Sequence, residues 1–138
     1  SFIAPSELTV LNAANEVSDY NILHICGYEG ARNDLSTYVD YPAKILNWAV
    51  TVEGVSLEEG KKLFGGRAVI GGYANTEKDL LYRGTKGEIQ TYAAGLLHQA
   101  GTRGVALGAD CTIPSDTPYE RLEWVREAVA AFKGGLHE

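Results

Sequence analysis

His24, Ile25 and Cys26 form a His-x-Cys triplet, and the second of only two cysteines, Cys111, lies far along the chain. Residues two apart on a strand point to the same face, so His24 and Cys26 are placed to act together. A third soft donor brought in from another strand end gives three protein ligands for a zinc ion and leaves a fourth position open, which a catalytic zinc needs and a structural one lacks. The plainer reading is that both cysteines are small buried hydrophobes and the histidine a hydrogen-bonded strand residue. A disulfide is the remaining alternative, although two cysteines in a non-secreted chain are more often free thiols or ligands.

Other residues share this edge of the sequence pattern. Asp110 precedes Cys111 and either orients a ligand or substrate or caps a loop N–H beside the Thr112-Ile113-Pro114 turn. Gly71 and Gly72 close an apolar run; they either admit a ligand close to the backbone or form a tight turn, and the turn is the reading adopted. Arg83 stands before Gly84-Thr85, where a helix start and a cation together could bind a sulfonate or carboxylate, or where a surface arginine simply meets solvent. His98 in a helix and His137 in the tail are read as solvated, and Trp48 as core.

The elements that must position these groups alternate. Strands are expected over 21–26, 43–48, 67–72 and 104–111, each short, apolar and bounded by Gly, Pro or Asn. Capping boxes announce helices at Ser56-Leu57-Glu58-Glu59, Thr85-Lys86-Gly87-Glu88 and Thr117-Pro118-Tyr119-Glu120, the last with proline at the first helical position. Ile89, Ala93, Leu96 and Ala100 recur at helical spacing up to Gly101, and Leu122, Val125, Val129 and Phe132 repeat the pattern later. A helix before the first strand is suggested by Leu8, Leu11 and Val17, a short one by Leu35, Tyr38 and Val39, and another over 76–82. The expected fold is α/β: four consecutive βα units with parallel strands, either a small open sheet or half of an eight-stranded barrel. Both architectures put functional residues at the carboxyl ends of strands.

Composition narrows the class. The chain has 138 residues, 45% hydrophobic and 22% charged, with a net charge of −6 and no basic cluster among its 12 Lys and Arg. That argues against a nucleic-acid surface and for small-molecule or protein partners. No apolar run is long enough for a bilayer, so no membrane role is expected and the cytoplasm is the expected compartment. No linker or low-complexity tract divides residues 1–138, which read as one domain or one contiguous part of one; the absence of methionine, even at position 1, suggests a piece of a longer product.

The segments Leu23-His24-Ile25-Cys26-Gly27, Arg67-Ala68-Val69-Ile70-Gly71-Gly72, Arg83-Gly84-Thr85 and 109–118 together resemble the C-terminal half of the uroporphyrinogen decarboxylase superfamily. The resemblance covers nearly the whole chain and implies the last four strands of a TIM barrel. The His-x-Cys strand with a later Cys is most similar to the cobamide-dependent methyltransferase branch, which passes a methyl group from a corrinoid protein to a thiol. The resemblance then implies zinc held by His24, Cys26 and Cys111, and a methylcobamide substrate carried by a partner protein. Glu53 resembles an acidic residue that can complete the zinc shell when substrate is absent. Asp110 and Glu53 are thus the candidate catalytic groups, and Gly71, Gly72 and Arg83 the candidate cofactor contacts. The alternatives are a metal-free decarboxylase acting on a porphyrinogen, for which this chain reads Asp110-Cys111 where that branch carries a Gly-His pair, and a catalytically incomplete module. A half barrel leaves two unpaired sheet edges, so a homodimer pairing two half barrels is also expected.

Overall fold

The computed structural model describes residues 3–27 and 31–133. Four parallel strands, β1 (Ile22–Ile25), β2 (Ile45–Trp48), β3 (Ala68–Tyr73) and β4 (Val105–Ala109), lie side by side in sequence order. Helix α1 (Ala4–Val17) precedes the sheet. A 3-10 turn (Leu35–Tyr38) joins β1 to β2, α2 (Val50–Glu53) and α3 (Leu57–Leu63) join β2 to β3, α4 (Leu80–Arg83) and α5 (Lys86–Ala100) join β3 to β4, and α6 (Tyr119–Ala131) follows. This is the expected α/β unit, a half TIM-barrel-like arrangement of strands alternating with helices. In sequential parallel order, crossovers of one hand, the right-handed one being the rule, send the helices to one face of the sheet.

Register separates the two faces. Leu23, Leu46, Val69 and Val105 pair across the sheet in one row, and His24, Asn47, Ile70 and Ala106 in the next. Because side chains alternate, the first row and Ile25 and Trp48 look toward the helices, where they pack with Leu57, Phe64 and Ala100. The second row looks the other way, with His24 and Ala106 exposed. A second apolar cluster joins Tyr73, Leu81, Ile89, Ala93, Leu96 and Val125 beneath α5 and α6.

Trp48 is core, as expected. Its ring lies against α3 at Gly60, where a Cβ would come within 2.2 Å of it, and its indole N–H donates to the Val55 carbonyl at 2.9 Å. The Ser56 and Thr85 capping boxes both form. The Thr117 box does not. Pro118 takes the extended N-cap conformation, α6 starts at Tyr119, and the Thr117 hydroxyl is buried with no hydrogen-bond partner. Val17 faces solvent at 88% exposure, because α1 buries no residue fully and leans on the core through Leu11. The helix expected over 76–82 begins later, at Leu80, since Asp79 folds back to take the Thr76 N–H and hydroxyl. Strand β3 runs through Gly71 and Gly72 to Tyr73, so the glycine pair is strand and the turn reading is corrected. His137 lies outside the described residues.

Candidate metal centre

Strand β1 presents His24 from its open face and delivers Cys26 one residue past its end, with Ile25 between them turned into the core. Cys111 follows β4 by two residues. The sheet curves enough to bring these ends together: Cys26 Sγ and Cys111 Sγ are 3.9 Å apart, and Cys111 Sγ is 3.5 Å from His24 Nε2. All three donor atoms lie within 4.8 Å of one another. No disulfide joins the two thiols.

Two donor spacings and the donor chemistry fit zinc. Bonds of about 2.3 Å to sulfur and about 2.0 Å to nitrogen place tetrahedral sulfur–sulfur and sulfur–nitrogen pairs about 3.8 and about 3.5 Å apart. The observed 3.9 and 3.5 Å match these edges. Two thiolates and one neutral imidazole are a soft set suited to zinc rather than to magnesium or calcium. The Cys111 sulfur raises the Cys26 thiol above its ordinary pKa, through an S–H contact first and charge second, with slight burial adding to both. A divalent cation between the sulfurs reverses that sign, because it stabilises the thiolates that otherwise repel.

Each donor is held by its surroundings. The His24 ring bonds through Nδ1 to Asn47 Oδ1, directly across the β1–β2 ladder. Asn47 in turn donates through Nδ2 to the Ile70 carbonyl of β3 at 2.8 Å. On the Cys26 side, Asn33 Nδ2 donates to the Cys26 carbonyl at 3.0 Å. On the Cys111 side, Asn75 Nδ2 donates to the Thr112 carbonyl at 2.8 Å.

Asp110 is the anchor of the Cys111 end. It is 1% exposed, and its Oδ1 accepts from Gly72 N at 2.8 Å while Oδ2 accepts from Thr51 N at 3.3 Å. Burial raises its carboxyl pKa, and the N–H groups of Gly72, Thr51 and Val50 pull the other way. Its own N–H continues the ladder to the Tyr73 carbonyl. Asp110 therefore ties β3, β4 and the start of α2 together immediately before Cys111. Gly71 and Gly72 serve the same joint: their φ angles are 143° and 112°, and a Cβ at Gly71 would lie 3.2 Å from Asp110 Oδ1. Both glycines make room for protein atoms.

Glu53 is not among the gathered donors. It is 6% exposed at the end of α2, and its two oxygens accept from Asn33 N and Asn33 Nδ2, each at 2.7 Å. It stands close to Cys26 all the same, since a Cβ on the next residue, Gly27, would sit 3.0 Å from Glu53 Oε1. Glu53 thus holds Asn33, whose Nδ2 also bonds the Cys26 carbonyl. Arg83 is exposed at the end of α4, donates through Nε to the Glu77 carbonyl at 2.6 Å and precedes the Thr85 box. His98 is exposed on α5 against Phe132. Asn33, Asn47 and Asn75 were not singled out from the sequence. The available signal was Asn47, a polar residue in an otherwise apolar strand.

No family model matches the chain, and no curated protein matches it. Among solved structures, a methyltransferase from Methanosarcina mazei is similar, with a TM-score of 0.67 and 25% sequence identity over 91% of this chain. The chain spans about a third (34%) of the length of that structure. No helix among the described residues is long and apolar enough to cross a membrane.

Proposed function

We propose that this chain is the zinc-binding half barrel of a methyltransferase-like protein in the uroporphyrinogen decarboxylase superfamily, in which a thiol accepts a methyl group from a corrinoid. The observation that carries the reading is the convergence of His24, Cys26 and Cys111, one imidazole and two sulfurs within 4.8 Å of one another, with the two spacings at Cys111 matching the edges of a tetrahedral zinc site. The similarity in fold to the Methanosarcina methyltransferase supports the reaction class.

In this reading His24 binds through Nε2 and both cysteines as thiolates, so the protein ligands balance the charge of the dication. Zinc held there would supply Lewis acidity, lowering the pKa of a thiol acceptor. The chain's own residues hold that arrangement still: Asn47 fixes the imidazole, Asp110 fixes the strand end before Cys111, and Asn33, itself held by Glu53, fixes the Cys26 carbonyl. The methyl donor is a methylcobamide carried by a partner protein.

Elemental analysis tests this directly. Purified with zinc available, the protein is expected to carry close to one zinc per chain and to lose it in Cys26→Ala. A folded wild-type protein that stays metal-free under those conditions overturns the proposal. Methylation of a small thiol from free methylcobalamin, absent in Cys26→Ala and Cys111→Ala, would extend the result from metal binding to activity.

A further inference from the structure

A neutral imidazole carries one proton, and the nitrogen that bears it cannot ligate a metal. At His24 the choice is constrained from two strands away. Ile70 offers a backbone carbonyl, which can only accept, so the atom of Asn47 that faces it at 2.8 Å must be the Nδ2 donor. The Asn47 amide can therefore present only its oxygen to His24. An oxygen acceptor draws the ring proton to Nδ1 and leaves the Nε2 lone pair free on the side where Cys111 Sγ stands at 3.5 Å.

We propose that Asn47 is a positioning residue that sets the His24 tautomer before any metal arrives, with the Ile70 carbonyl fixing the amide that does so. Asn47 is 9% exposed and lies in the row that runs from His24 to Ile70 across β1, β2 and β3, so the relay is built from register, and no loop has to close to form it. Gly71 lies alongside, with the position of a Cβ there 3.5 Å from Asn47 Nδ2, in ordinary van der Waals contact. The prediction for metal affinity rests on the zinc reading above, whereas the tautomer prediction does not.

The experiment is nitrogen-15 NMR of the histidine rings in metal-free protein, at a pH where the imidazole is neutral, with His24 assigned by comparison with His24→Gln. Wild type is expected to show the Nδ1–H form. Asn47→Leu should shift the ring to a mixture or to the Nε2–H form, while Asn47→Asp, which keeps an acceptor toward Nδ1, should retain Nδ1–H. In chelator competition, Asn47→Leu should bind zinc roughly 10- to 100-fold more weakly than wild type, as expected for loss of a partner that orients a ligand. An Nε2–H ring in wild type overturns the inference even if Asn47→Leu does not fold. So does an Asn47→Leu protein with an unchanged tautomer and zinc affinity within about twofold of wild type. Wild type that shows the Nδ1–H form yet takes up no zinc would uphold the tautomer assignment and sink the zinc reading alone.

Discussion

On the helix-covered face of the sheet Leu46, Trp48 and Val69 are sealed at 0% exposure, while on the opposite face His24 stands open and Asn47 spends its polar atoms on its neighbours. Consecutive residues of one strand supply both: Asn47 sits between Leu46 and Trp48, and His24 between Leu23 and Ile25. Strand alternation assigns stability to one set and chemistry to the other. The lesson is that exposed side chains of the open face can change with little cost to folding, whereas those of the covered face cannot.

Substitutions can break or sharpen that contrast. The largest effect is expected at Trp48→Ala, which empties a fully buried aromatic site and should cost about 3–5 kcal/mol in denaturant unfolding. Zinc uptake should fail with it; a loss below about 1 kcal/mol would mean the covered face is not the source of stability. Gly60→Ala pushes a methyl group into the same ring and should cost about 1–3 kcal/mol, partly offset by the better helix propensity of alanine.

A third test reads pH at the rim of the covered layer, where the Tyr41 hydroxyl donates to Glu7 Oε2 at 2.6 Å and joins α1 to the approach to β2. The bond to Glu7, then burial, push the Tyr41 pKa up to about 12. The folded value exceeds the unfolded value of about 10, so this contribution is intact below about pH 10 and is lost as pH rises from about 10 to about 12. Thermal midpoints should show wild type losing its advantage over Tyr41→Phe across that window; parallel curves would remove Glu7 and Tyr41 from the account.

The smallest effect is expected on the open face. Cys26→Ala should change the stability of metal-free protein by less than about 0.5 kcal/mol, because the side chain is exposed. A larger loss in a denaturant titration would show that the open face also carries folding energy.

Much of this architecture could be read from residue order. Short apolar runs bounded by Gly, Pro or Asn gave the strands, and Ser56 and Thr85 with their glutamates gave two helix starts, because those signals are local. Thr117 misled because a proline one residue later can itself be the N-cap, and which residue takes the extended conformation is settled by packing of the preceding loop. Helix α2 carries no capping side chain of its own; its first N–H groups are met by Asp110, more than fifty residues on, and no local pattern reveals that. The His-x-Cys pair was visible through its spacing, and Cys111 through its rarity. Asn47 was missed because its partner depends on register, and register is a property of two strands together.

The two thiols of the cluster are 85 residues apart in sequence, and they meet only when β1 through β4 have all been laid down. A site whose donors converge only in the assembled sheet is expected to form late, so an ion bound there would act as a latch rather than a nucleus. It should leave the refolding rate nearly untouched and slow the unfolding rate, lengthening the life of the native state.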